Sequence, residues 1–272
     1  MNWGRIKTIL ILLFLVTDIF LAFTIRSAEN KEKNVTPEVI NAACEILSAR
    51  GISADKSVIP SKIPSLPVLQ ADNAVTAYGD FAELILGEGA IDAADGVYRK
   101  EDALLTFSGD SFTYENKKEL KEGGAVNPKE LQNSVFRRLA ALGFDLSDAR
   151  VIHSSAGNGL LKMTIRDYYK KTPVFSSELT VTANKDGIAY VSGRWYNKRP
   201  GGQSNLLKST AAVLVDFAAD YNGETPVTIS SVELGYNLSD SEVYHKSASL
   251  IPVNRIILDS GKEYIKDARS EE

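Results

Sequence analysis

Asn127–Gly143, NPKELQNSVFRRLAALG, decides the fold together with the strands that follow: GLLKMTIRD at 159–167, SSELTVTA at 176–183 and IAYVSGRWYN at 188–197. Asn127 is a capping residue, Pro128 suits the first helical position, and Gly143 suits a left-handed stop. Leu131, Val135, Leu139 and Leu142 recur at helical spacing and form one apolar stripe. The period then changes to two. Leu161, Met163 and Ile165 alternate with Lys162, Thr164 and Arg166; Leu179, Val181 and Ala183 alternate with Glu178, Thr180 and Thr182. Asn184–Gly187 then turns the chain, and IAYVSGRWYN returns. Such alternation predicts an antiparallel sheet with one covered face, and the helix is there to cover it. The fold class is α+β.

A helix followed by strands recurs on both sides of this stretch. Thr36 caps and Pro37 opens a helix that ends at Gly51, with Val39, Ile40, Ala43 and Leu47 as its expected buried face. Cys44 lies beside that face and reads as a small buried hydrophobe. Residues 57–70 carry Pro60, Pro64 and Pro67, which predicts an extended connector unsuited to a central strand. A short helix over Asp80–Leu86 follows, then strands VYRKEDALLTF and SFTYEN around a turn at Ser108–Asp110. Residues 117–126 have the composition of a boundary, giving an N-terminal lobe over 36–123 and a C-terminal lobe over 124–272. In the second lobe, 197–205 reads as a loop. A helix over Leu207–Tyr221 buries Leu207, Ala211, Leu214, Ala218 and Tyr221. Two further strand regions follow, with a hairpin turn at Asp259–Gly261.

The opening, MNWGRIKTILILLFLVTDIFLAFTIR, is of a different kind. Fourteen of the eighteen residues from Thr8 to Ile25 are apolar, behind Arg5 and Lys7 and ahead of Arg26. As a helix this run is about 27 Å long, close to the ~30 Å hydrocarbon core of a bilayer. A cleaved signal is the alternative, but its cleavage site fits badly: a cut after Ala28 puts Arg26 at the third position back. An uncleaved anchor over 8–26 is the better reading, with a cytoplasmic tail at 1–7, a linker at 27–35 and the main domain outside. Asp18 lies in mid-span, where a carboxylate costs about 2.5–3.5 kcal/mol. It is either a contact in a helix–helix complex, with Thr17, Phe14 and Leu21 around it, or a protonated acid tolerated by an apolar segment.

The chain carries 44% apolar and 24% charged residues and a net charge of −4, which gives no basic stripe for nucleic acid. With one cysteine it has no internal disulfide. His153 and His245 read as a strand and a loop residue. No nucleophile elbow, phosphate loop, dinucleotide fingerprint or metal-ligand spacing occurs, so no catalytic, cofactor or metal residues are assigned. One cluster stands out: Arg194, Trp195, Tyr196, Lys198 and Arg199 at a strand end. Either this is a cationic–aromatic tip that docks a partner, or its aromatics pack inward while its charges solvate the end. Tyr168–Lys171 carries the same two readings.

Three regions resemble the YycI (WalI) family of membrane-anchored regulators. The first is Asn2-Trp3 with Arg5–Ile9 running into the span that holds Asp18. The second is Pro173-Val174-Phe175 through Leu179, the Asn184–Gly187 turn and Gly193-Arg194-Trp195, which resemble the helix-plus-sheet units shared with PepSY-like domains. The third is Glu233–Tyr236 with Ile251–Ile256. Length and layout are similar over essentially the whole chain. The resemblance implies an extracytoplasmic domain on a single-pass anchor in the cell membrane of a Gram-positive bacterium. It also implies association with the sister protein YycH and with the sensor histidine kinase YycG (WalK), in homo- or hetero-oligomers, and control of cell-wall metabolism without catalysis. A second function stays open: an exported PepSY-like module that inhibits or chaperones a protease or wall enzyme. An unrecognised wall hydrolase or ligand receptor is a third.

Overall fold

The computed structural model describes residues 14, 17–18, 34–75, 77–94, 96–118, 127–199, 201–202, 204–239 and 247–270. In chain order the elements are α1 (Pro37–Ala49), β1 (Ile52–Ala54), a 3-10 turn (Lys56–Val58), β2 (Ser65–Leu66), β3 (Leu69–Asn73), α2 (Tyr78–Leu86), β4 (Ile91–Ala94), β5 (Val97–Lys100), β6 (Ala103–Ser108), β7 (Ser111–Asn116), α3 (Pro128–Ala141), β8 (Arg150–Gly157), β9 (Leu160–Tyr169), β10 (Thr172–Ala183), β11 (Ile188–Arg194), β12 (Tyr196–Arg199), β13 (Asn205–Leu206), α4 (Thr210–Asp220), β14 (Val227–Leu238), β15 (Ser247–Leu258) and β16 (Glu263–Asp267). This is the expected mixture of helices with a large, mainly antiparallel sheet. Among the described residues no helix is long and apolar enough to cross a membrane; most of the expected anchor, Leu21 included, lies outside them.

Two compact units share the chain. Unit 1 draws on Met1–Leu66, Asn205–Val232 and Asn254–Glu272, and unit 2 on Pro67–Ser204 and Glu233–Val253. The division differs from lobes at 36–123 and 124–272, because each unit combines segments distant in sequence.

In unit 1, α1 and α4 supply Ala43, Leu47, Ala211, Leu214, Phe217 and Ala218 to a core with Ile52, Ile229, Ile256 and Leu258. The strands run in the order β1–β14–β15–β16, with β1 parallel to β14. Ser209 caps α4 by accepting from the Ala212 N–H at 3.1 Å. Arg50 Nη1 donates to the Ala218 carbonyl at 3.2 Å and so satisfies an orphan acceptor at the other end of α4. One expectation fails here: Val39 is 49% exposed, and Ala43 and Leu47 carry the buried face of α1. Cys44 is half-buried.

In unit 2, α3 buries Leu131, Val135 and Leu139 as the spacing predicts, and Gly143 stops it at φ +88°. Its core continues through Phe81, Phe112, Phe144, Met163, Ile165, Leu179, Val181 and Trp195. Two readings are corrected. VYRKEDALLTF is a hairpin, β5–β6, because Glu101 takes φ +49° and Glu101–Asp102 turn the chain. The proline-rich segment gives way after Pro67 to β3, an inner strand between β12 and β15, because Leu69 and Ala71 are fully buried and no proline lies beyond Pro67 to block pairing.

Candidate functional site

The strand-end cluster lies in unit 2, where the pairings close a ring. β10 pairs β11, which runs through Trp195 into β12; β12 pairs β3, β3 pairs β15, β15 neighbours β14, and β14 returns to β10 at Val174↔Tyr236. The register of β10 slips between Val174 and Glu178. One edge of β10 can therefore face β14 at its start and β11 at its end. Gly193, at φ +144°, sits where a Cβ would strike the Glu178 carbonyl oxygen, so the close approach of β11 to β10 requires glycine.

The expected loop at 197–205 begins instead with β12, and every residue from 194 to 199 is tied to a distant segment of unit 2. Arg194 Nη1 lies 3.1 Å from Asp110 Oδ2, and the Tyr196 hydroxyl donates to the same oxygen at 2.8 Å. Trp195 is fully buried; its Nε1 donates to the Asp145 carbonyl at 3.1 Å and its ring meets Phe144 edge-on. The Tyr196 amide donates to Ser177 Oγ at 3.1 Å. Asn197 donates to the Gly143 carbonyl at 2.9 Å and accepts from the Asp145 amide at 2.8 Å. Lys198 Nζ donates to both oxygens of Asp167 at 2.8 Å, with Asp148 at 3.8 Å. Arg199 Nη2 reaches Asp72 at 2.6 Å.

Trp195 lies between β11 and β12, and both it and Tyr196 are buried, whereas Arg194 and Arg199 keep 41% and 65% of their side chains exposed. Lys198 keeps only 6% of its side chain exposed, and its partner Asp167 none. Sequence reasoning left Lys198 either docking a partner or solvating the strand end, and did not single out Asp167. The available signal was that Asp167 follows Leu161, Met163 and Ile165 on the covered face of β9.

Burial pushes the Asp167 carboxyl up to about 6, against the opposing pull of the Lys198 ammonium. Burial, and then the hydrogen bond to Asp110, push the Tyr196 phenol above its ordinary value. Hydrogen bonds from Ser147 hold Asp145 low. Two buried hydroxyls, Ser176 Oγ and Tyr236 OH, have no hydrogen-bond partner. Tyr236 packs edge-on against Tyr169, and burial raises its phenol.

Chemically this arrangement is a frame. Ser177 is occupied by a backbone amide, and the carboxylates here bind cations, backbone donors or the Tyr196 hydroxyl. Among the described residues no three His, Cys, Asp or Glu side chains gather so as to hold a metal ion. An apolar cavity of about 270 Å³ lies elsewhere in unit 2, lined by Ile85, Tyr114, Ala141, Leu142, Ile188 and Val191, with Arg138 at its side. Of the residues expected to form an anchor, Phe14, Thr17 and Asp18 are helical and exposed. His153 is an exposed residue of β8; His245 lies outside the described residues.

No protein-family model matches the chain, and no curated protein does. Similar solved structures include an uncharacterised protein from Eubacterium rectale, at 10% identity and TM-score 0.48, over 88% of this chain and 98% of that one. YycH from Bacillus subtilis aligns at 13% identity and TM-score 0.45, over 76% of this chain and 55% of that one. The C-terminal domain of YpeB from Bacillus megaterium aligns at 7% identity and TM-score 0.33, over 71% and 92%. The chain thus spans about half the length of YycH.

Proposed function

We propose that this protein is a membrane-anchored, non-catalytic accessory subunit that modulates a sensor histidine kinase of the YycG (WalK) type, in company with YycH, and through it cell-wall metabolism. The observation that carries the reading is the opening of the chain: an apolar run of membrane-spanning length with Asp18 at its middle. A carboxylate there is costly alone and is stabilised by a polar group on a neighbouring helix. The frame in unit 2 is compatible with it, since Ser177 accepts from the Tyr196 amide and Lys198 is spent on Asp167. A coupling of ~1–3 kcal/mol across such a contact is enough to shift a two-state receptor several-fold or more. The domain then lies outside the cell and the tail inside.

Co-purification from membranes in mild detergent tests the reading. The full-length protein is expected to bring down a sensor kinase, and a version with 8–26 replaced by an unrelated apolar helix is expected to lose it. Loss with Asp18→Leu alone identifies the carboxylate as the contact. Retention by the swapped version transfers binding to the outer domain, as an exported PepSY-like module would have it.

A further inference from the structure

The outer edge of β8 is long, open and undefended. β8 runs for eight residues and pairs only with β9, so among the described residues no strand takes its other edge. Every residue from Ile152 to Gly157 is exposed. Edge strands are ordinarily defended by brevity, charge, proline or a bulge. Among the described residues, other edges follow that rule: β1 has three residues, β4 has four with Asp92 and a register slip, β12 reads YNKR and β16 reads EYIKD. β8 does not. From Val151 to Gly157 it reads VIHSSAG, with no proline, aspartate, glutamate, lysine or arginine. Its one irregularity, at Ile152, leaves the five residues from His153 to Gly157 in continuous register with β9.

We propose that this edge pairs with the same edge of a second copy, antiparallel about a two-fold axis near Ser154, joining the two β8–β9 ladders into one sheet. The unpaired donors and acceptors of a strand edge are matched by another extended strand. The sequence suits itself. Pairing about Ser154 sets His153 opposite Ser155 and brings Ile152 toward Ala156, and the stretch from Val151 to Gly157 holds no lysine, arginine or carboxylate, so no like charges are opposed. Ile152, which is 40% exposed, gains an apolar neighbour in Ala156. Arg150 is already held by the Tyr168 ring and the Lys170 carbonyl. A two-fold contact uses both edges and closes at a dimer rather than propagating as a fibre. Joining one strand edge buries little area, so the dimer belongs to the weak, transient class.

The test uses the full-length chain carrying Cys44→Ser, so that one introduced thiol reports. Directly opposed residues in an antiparallel pair lie about 4.5–5.5 Å apart at Cα, within disulfide reach. Under mild oxidation Ser154→Cys is expected to yield at least five-fold more cross-linked dimer than Lys185→Cys, an exposed turn position. Adding Ala156→Lys, a charge of the kind that defends other edges, is expected to return Ser154→Cys to the Lys185→Cys level with the melting temperature unchanged. Equal yields at 154 and 185, insensitivity to Ala156→Lys, or cross-linking at 154 only to a different protein overturns the proposal. None of these readouts depends on a kinase, so this pairing and the proposed function fail separately.

Discussion

Lys198 and Arg199 are neighbours on β12, and both make ion pairs with an aspartate in unit 2, yet they play different structural parts. Lys198 meets a carboxylate with no exposure at all, while Arg199 and Asp72 remain 65% and 42% exposed. Strand alternation sends one side chain into the ring and the other into water. Water screens the exposed pair, so its net contribution is about 0–1 kcal/mol. The buried pair has already lost its hydration, so removing either partner strands the other. Charge type read from the sequence is the same in both cases; burial decides the consequence.

The largest effect is expected from Lys198→Met. It leaves Asp167 buried without its cation and should cost about 3–5 kcal/mol at pH 7.5 in urea unfolding. The cost should shrink at pH 5, where Asp167 takes a proton; an equal cost at both pH values would show that the pair is not the cause. Replacing both partners, Lys198→Met with Asp167→Leu, should restore most of that loss, since apolar substitution of a buried pair is often neutral or better. A double variant as unstable as the single one would mean that the loss lies in packing.

The pH dependence follows from Asp167 with its sign fixed. The folded chain holds this proton up to about pH 6, whereas the ordinary carboxyl releases it near 3.8. The resulting stabilisation is fully present below 3.8 and is lost as pH rises through 6. Asp145, held low by Ser147, acts in the opposite sense: its contribution is present above the ordinary value and lost as pH falls through its folded one. Between pH 4.5 and 6.5 the wild type should therefore lose stability with rising pH relative to Asp167→Asn, measured by urea unfolding at several pH values. Parallel profiles would contradict the assignment. The smallest effect belongs to Arg199→Ala, expected to cost less than about 1 kcal/mol and to be insensitive to pH between 5 and 8. A cost near that of Lys198→Met would erase the contrast.

The sequence was most informative where one face of an element is buried against its own neighbours. Leu131, Val135 and Leu139 on α3, the alternation of β9 and β10, and Ala211, Leu214 and Ala218 on α4 all follow the periods that predict them. It was least informative where burial comes from distant chain. β12 carries Lys198 and Arg199 and reads as a loop, because nothing local shows that Asp167 lies thirty-one residues back, ready to receive the ammonium. Val39 has the right spacing for a core face but finds no cover. The two units interleave, and composition shifts such as the one at 117–126 mark only boundaries that are consecutive in sequence. At the candidate site, the aromatic and basic residue types at 194–199 were legible, and inward packing of the aromatics was one of the two readings; the partners that fix it, Phe144, Asp145 and Asp110, were not, because they lie elsewhere in the chain.

The most direct measurement of the central claim is the autophosphorylation rate of a YycG-type sensor kinase, reconstituted in lipid bilayers with and without the full-length protein. The account predicts that the native protein changes the rate several-fold and that both Asp18→Leu and the span-swapped version lose the effect. An equal effect from the swapped version, or from residues 34–272 alone, would contradict it.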